Sequence, residues 1–203
     1  LSMLFGDLPI TEMEVKEEFV ETFNEDNSED IDLSDSITKV LQHPTVSSKS
    51  FLITIGDRTV SGMVARDQFV GPYQVPVSDY SLSLRSYTSN NGEVLSIGEK
   101  PTIALINPAA SMRMALGEAL TNMSGVVIKG LNNVQVSANW MAASGENSDD
   151  FALRSGVEAL SKIAVDLKVS IPVGKDSLSM RTKWSENNSD YEVSSPLSGV
   201  ITA

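Results

Sequence analysis

The chain has no cysteine and a single histidine, His43. The first absence excludes a disulfide scaffold, a thiolate metal site and a cysteine nucleophile, and it fits a reducing, intracellular setting. The second removes most histidine-based mechanisms, because His43 falls at the end of an expected short helix, where a surface or capping role is ordinary. Positive charge is scarce too: 15 lysines and arginines face 27 acidic residues, for a formal charge of −12. A general nucleic-acid binder needs a basic face, so nucleic acid is excluded as a partner. A small phosphorylated ligand is not, since an acidic protein can hold phosphates through bridging Mg²⁺ and backbone N–H groups. No apolar run approaches the roughly 20 residues that span a bilayer, and the first residues lack the basic-then-apolar pattern of a secretory signal. The expected location is cytoplasmic, with no membrane partner.

What the chain does contain is enough length, 203 residues, for one large domain with a sizeable core. Its organising stretch is Asn107-Pro108-Ala109-Ala110-Ser111-Met112 and onward to Met123. Asn107 is a good helix N-cap, and Pro108 suits the first helical position, where a missing N–H costs nothing. Met112, Ala115, Leu116, Ala119, Leu120 and Met123 recur at helical spacing as one apolar stripe. Glu118 and Asn122, four apart, stack on one flank of it. A carboxylate and an amide oxygen on one rigid edge suit a hard cation, although the spacing alone is common on solvated helix edges.

Before that helix, residues 12–32 hold ten acidic residues against Lys16, with Val15, Phe19, Val20 and Phe23 giving a short helix an apolar side. Residues 24–32 read as a polar loop. Ser34 caps a short helix that stops before Pro44. Residues 51–55, rich in β-branched side chains, read as a strand, followed by a turn at Gly56-Asp57-Arg58 and a second strand over 59–65. Residues 66–79 form a loop with glycine and proline punctuation but buried-type side chains, the composition of a site loop. Strands are expected at 81–87, 94–97, 102–106, 126–129, 134–141 and 169–173. A turn is expected at 174–177, then a strand at 178–184, a polar tract at 185–192 and a closing strand. Residues 151–167 read as a helix with Leu153, Val157, Leu160, Ile163, Ala164 and Leu167 inward. The alternation is loose, giving an α/β (α+β) layer fold with a mixed sheet. Leu1 is not an initiator methionine and the closing strand looks cut, so the chain reads as a piece of something longer.

Gly174-Lys175-Asp176-Ser177 has the end of a phosphate-binding loop, but Val169 stands where that motif needs its first glycine, and a strand rather than a helix follows. No nucleophile elbow, zinc-ligand spacing or dinucleotide fingerprint is present.

Six strings carry a resemblance. They are Gly56-Asp57-Arg58; Ala65-Arg66-Asp67-Gln68-Phe69-Val70-Gly71-Pro72; Gln74-Val75-Pro76-Val77; Gly117-Glu118-Ala119-Leu120-Thr121-Asn122; Ser137-Ala138-Asn139-Trp140-Met141; and Pro172-Val173-Gly174-Lys175-Asp176-Ser177-Leu178-Ser179-Met180. In this order across residues 45–203 they resemble the large single-chain form of phosphoribosylformylglycinamidine synthase, a purine-biosynthesis enzyme. Residues 1–44 read as an acidic lead-in segment. The resemblance implies the N-terminal half of the second of two aminoimidazole-ribonucleotide-synthetase-like units. Such a half is a half-barrel with a mixed four-stranded sheet flanked by helices.

The partners it implies are the first unit, the C-terminal half and a glutaminase domain, with homodimerisation of the isolated chain through its sheet edge. The parent reaction is an ATP-dependent ligation that turns formylglycinamide ribonucleotide, with ammonia from glutamine, into the amidine. For this unit the resemblance implies bound ATP or ADP with Mg²⁺, the metal on Asp79, Glu118 and Asn122 and the nucleotide near Ser78 and Lys49. In the large bacterial forms this second site resembles a structural ADP site, so no catalytic residue is expected here and the isolated chain should be inactive. Arg66, Asp67, Asn139, Lys175 and Asp176 recur in the motifs without an individual role.

Overall fold

The computed structural model describes residues 6, 14–17, 32–56 and 62–203. The helix expected around Phe19, Val20 and Phe23, the turn at Asp57-Arg58 and the first part of the strand expected over 59–65 lie outside them.

Helix α1, Leu33–Gln42, opens the described chain. Its cap is Asp32, two residues before the expected Ser34. One Asp32 carboxylate oxygen accepts from the backbone N–H groups of Ser34 (2.8 Å) and Asp35 (3.2 Å), which a charged acceptor at a positive helix end favours. His43 closes the helix, its N–H on the Val40 carbonyl, the capping role expected of it.

Residues 51–55 are not a strand. They belong to helix α2, Ser50–Ile55. The Thr54 hydroxyl bonds back to the carbonyls of Ser50 and Phe51. Strand preference is a preference for packing on a pleated surface, and no neighbouring strand is offered to this segment among the described residues, so local bonding decides its state.

A six-stranded mixed sheet follows, in the order β1-β2-β3-β8-β4-β5. Its members are β1 (Val64–Arg66), β2 (Tyr80–Leu84), β3 (Gly92–Gly98), β4 (Gln135–Met141), β5 (Ser170–Ser177) and β8 (Ser198–Thr202). The sheet is mixed and flanked by helices, as the resemblance implies, but it has six strands where four were expected, because β1 and β2 add to it through β3. The closing strand lands in the middle, antiparallel to β3 and to β4, where Ile201 is fully buried. β4 and β5 run parallel, and α5 (Asn147–Leu167) makes the long crossover that parallel neighbours require. This helix starts four residues earlier than expected. It ends on Lys168 in the left-handed region, with the Val169 N–H returning to the Ala164 carbonyl, a closure usually given to glycine.

Three further expectations are corrected. Residues 102–106 do not form a strand: Pro101, its φ preset for a helix start, opens the one-turn helix α3, Pro101–Ala104. Residues 126–129 form no strand either. Gly174-Lys175-Asp176-Ser177 is not a turn but the second half of β5, paired residue for residue with Ala138 to Met141 of β4. A glycine needs a turn only where φ is positive, and that of Gly174 is not.

Helix α4, Pro108–Asn122, is the organising helix the sequence pointed to, with Asn107 Oδ1 accepting from the Ala110 N–H at 2.8 Å. Met112, Ala115, Leu116, Ala119 and Met123 of its stripe are buried, and Leu120 packs partly against the same core. α5 joins it on one face of the sheet, burying Leu160 and Ala164, whereas Val157, expected inward, is 41% exposed. Close approach is possible because glycines face Met112. A Cβ at Gly156 of α5 would sit 2.9 Å from Met112 Cγ, and one at Gly199 of β8 would overlap its sulfur. On the other face of the sheet Leu95, Ile97 and Val173 stay about half exposed.

Beyond the sheet, β6 (Arg181–Glu186) and β7 (Ser189–Ser194) form a separate antiparallel hairpin. Asn187 and Asn188, both at positive φ, make its two-residue turn, as the preference of such hairpins for asparagine predicts. Trp184 and Tyr191 stack across it at 5.3 Å. Among the described residues no helix is long and apolar enough to cross a membrane.

Candidate functional site

Two of the residues singled out from sequence, Glu118 and Asn122, are held by α4 at one strand end, that of β3. Gly98 removes the side chain that would hold α4 away, and three polar contacts pin the helix there. Ser96 Oγ donates to the Ala119 carbonyl at 2.6 Å. Asn122 Nδ2 donates to the Ile97 carbonyl at 2.9 Å. The Glu99 N–H donates to one Glu118 oxygen at 2.8 Å, while the other pairs with the Lys100 ammonium.

These contacts decide what each side chain has left to offer. A carbonyl accepts only from N–H or O–H, so the Ile97 contact fixes the Asn122 amide orientation and leaves its Oδ1 as the free ligating oxygen. Glu118 is committed through both oxygens, and would serve a cation only by exchanging Lys100 for it. Lys100 is the residue that sequence reading missed. It lies 18 positions from Glu118, and no local pattern marks such a partner.

Ser78 and Asp79 reach β3 from its other side, through β2. The loop that carries them is ordered, as its composition suggested. Phe69 and Val77 form an antiparallel bridge, the Val70 N–H bonds the Pro76 carbonyl at 2.9 Å and the Ser78 N–H that of Gln68 at 2.7 Å. At the tip Gly71 and Gln74 take positive φ, and Phe69 is buried beneath. The Ser78 hydroxyl donates to the Tyr80 carbonyl at 2.8 Å and so fixes the entry into β2. The Asp79 carboxylate is exposed and carries no hydrogen bond or ion pair among the described residues. Tyr80 pairs with Ser96, which brings Asp79 to the level of Ile97 on the neighbouring strand.

Ser78 and Asp79 line a groove of ≈ 520 Å³ on the sheet face away from α4 and α5, whose polar wall is Arg66, Gln68, Ser78, Asp79, Ser81 and Ser83. Ile97 belongs to both sets: it lines the groove, and its carbonyl holds Asn122. Lys49 is not brought to this group by any contact. Its ammonium donates to the Thr45 and Ser47 carbonyls, both at 2.7 Å.

The donor set fits a hard cation in kind. Asp79 and Asn122 each present an unshared oxygen, and Glu118 a carboxylate now paired with lysine, all of them oxygen donors of the sort Mg²⁺ takes together with waters. No group of three His, Asp or Glu side chains forms a metal cluster among the described residues, so any such site depends on the asparagine.

Three solved structures are similar to the chain at low identity. PurLQS from Thermotoga maritima is 14% identical over 62% of this chain and 19% of that one, with a TM-score of 0.48. T. maritima PurL complexed with ATP is 15% identical over 61% of this chain and 19% of that one, at 0.44. The same protein complexed with ADP is 14% identical over 62% and 19%, at 0.45. The chain therefore spans about a fifth of the length of these structures. Residues 48–203 match the family model described as the FGAR-AT PurM_N-like domain, and with most of its length covered in this way the chain belongs to that family of phosphoribosylformylglycinamidine synthase domains.

Proposed function

We propose that the chain is a nucleotide- and Mg²⁺-binding domain of an ATP-dependent C–N ligase of purine biosynthesis, the enzyme that converts formylglycinamide ribonucleotide to its amidine. The observation that carries the reading is Asp79. Its carboxylate is unpaired among the described residues and sits on an ordered loop, at the level of Ile97, whose carbonyl holds Asn122. Asp79, Asn122 and Glu118 are the metal-binding residues of this reading, and Ser78 and Lys49 its nucleotide-facing ones. Mg²⁺ would supply charge neutralisation for the phosphates. The chain's own residues position that ion, and no group here is assigned to bond making or breaking. The site is accordingly a structural nucleotide site of the larger enzyme, and the remaining domains of that enzyme are its partners.

Calorimetry with ADP and Mg²⁺ tests this. The expected result is Mg²⁺-dependent binding that weakens by about tenfold or more in Asp79→Asn, since a charge-assisted contact is worth about 1.5–3 kcal/mol. ADP affinity that is indifferent to Mg²⁺ and to Asp79→Asn would overturn it.

One observation favours a second reading, an assembly module. Leu95 and Ile97 of β3 and Val173 of β5 leave one face of the sheet apolar and about half exposed, and β5 is an outermost strand of that sheet among the described residues, the kind of edge that recruits further strands. No heat with Mg²⁺ and ADP, together with homodimers in sedimentation, would favour it.

A further inference from the structure

The groove beside Asp79 holds one more charged side chain. Arg66 and Asp79 are the only cation and anion among the described residues that line it. Of the other described arginines, Arg85 is neutralised by Glu93, Arg154 by Glu158 and Arg181 by three carboxylates, while Arg113 stands on the exposed side of α4, outside the groove. The Arg66 guanidinium carries no hydrogen bond or ion pair among the described residues. On a chain of net charge −12, an unneutralised arginine in a groove is the feature that admits an anion, because the average field of the surface repels one.

Its surroundings suit the same ligand. The hydroxyl-bearing residues Ser81 and Ser83 share the wall, and neither side chain has a hydrogen-bond partner among the described residues. Val64 pairs with Ser83 and Arg66 with Leu82, so the register of β1 on β2 shifts between them. A register shift at a sheet edge re-aims a side chain, as a bulge does, and both Val64 and Arg66 line the groove.

We infer that Arg66 is an anion-binding residue of this groove, holding a phosphate of a nucleoside diphosphate whose divalent cation sits on Asp79. The inference rests on the reading of Asp79 given above. A metal–phosphate pair is itself dipolar, positive at the metal and negative at the outer phosphate oxygens, and the groove presents the complementary pair of charges. A planar guanidinium takes two phosphate oxygens at once, which a lysine does not.

The test is calorimetry on the full chain with Mg²⁺ plus ADP and with Mg²⁺ plus AMP, comparing wild type with Arg66→Gln, Arg66→Lys and Asp79→Asn. Arg66→Gln should weaken ADP by about tenfold or more and AMP by less than about threefold, the lost contact being a charge-assisted one to the outer phosphate. Arg66→Lys should recover part of the preference for ADP, and the Tm should not change in either variant. ADP binding that survives Arg66→Gln but not Asp79→Asn overturns the role of Arg66 and leaves the metal reading standing. Equal losses for both nucleotides with a lowered Tm overturn it in favour of a structural arginine. A wild-type chain that binds neither nucleotide overturns both readings together.

Discussion

Gly98→Val is expected to cost about 3 kcal/mol or more in urea unfolding, at or above the upper end of ordinary overpacking. The reason lies in which atoms a side chain there would meet. A Cβ on Gly98 would overlap the Ala115 carbonyl oxygen, come within 2.6 Å of the Ala119 nitrogen and reach 3.0 Å from Glu118 Cβ. Two of these are backbone atoms of α4, which cannot rotate aside as a long side chain does. The helix would have to lift away from β3, yet Ser96, Asn122 and Glu118 tie it to that strand, and Met112 locks its far side between Gly156 and Gly199. Nucleotide binding should fall with stability, because the same displacement separates Glu118 and Asn122 from the strand end. Gly117→Ala is the control on the same helix. Nothing lies within 4 Å of a Cβ there, so it should raise stability by about 0.5–1 kcal/mol through helix propensity. If the two substitutions behave alike, the close approach of α4 and β3 is not what the Gly98 position requires.

Arg181→Ala should be the second severe change, at about 2–4 kcal/mol. Removing one partner of a buried ion pair costs about 3–5 kcal/mol, and the partial exposure of the carboxylates here lowers that. Arg181 is itself only 15% exposed and bonds Glu146 (3.3 Å), Asp149 (3.0 Å) and Glu192 (2.9 Å), as well as the Ala143 carbonyl (3.0 Å). It therefore ties the β6–β7 hairpin to the start of α5. Without it three carboxylates are left facing one another, and a two-stranded ribbon of this size is marginal alone. Loss of the near-ultraviolet dichroism of the stacked Trp184 and Tyr191, together with cleavage by protease at Asn187-Asn188, would report the released hairpin. A hairpin that stays protected in the variant would sink the idea.

The same cluster has a pH dependence. The hydrogen bond from Lys183, then that from Ser194, and then the charges of Lys183 and Arg181 hold the Glu192 carboxyl below its ordinary 4.5. A carboxyl whose pKa is depressed on folding stabilises the fold above its unfolded value, and that contribution is lost as pH falls through the folded one. Anchoring of the hairpin should thus weaken only below about pH 4.5, and salt should reduce the effect because Glu192 is exposed.

How far the linear chain could be read follows from how far apart the deciding contacts lie. The α4 helix was legible because its cap, its proline and its stripe lie within 17 residues, and local bonding alone satisfies them. The ordered loop over 66–79 was legible for a similar reason, its glycine and prolines being punctuation that acts in place. The strands misread at 51–55 and 102–106 show the limit. Short apolar runs take the state that their neighbours offer, and among the described residues neither run has a strand to pair with. The turn misread at 174–177 is the converse case, since pairing with β4 extended a stretch that reads locally as a break. At the candidate site, Glu118 and Asn122 stood out by their helical spacing, and the family resemblance alone joined Asp79 to them as expected metal ligands. The Lys100 partner of Glu118, the orientation of Asn122 and the groove around Arg66 were not legible, because each depends on strands and a helix meeting.

By itself, then, the sequence determined the layer class, the absence of thiol chemistry, the organising helix with its buried stripe, and the family. Each of these is written in composition or in residues close along the chain. Tertiary structure alone decided that the closing strand lies between β3 and β4, that Gly98 lets α4 touch β3, that both oxygens of Glu118 are engaged, and that Asn122 keeps its Oδ1 free. Those outcomes turn on contacts between residues far apart in the chain, formed only when the sheet closes.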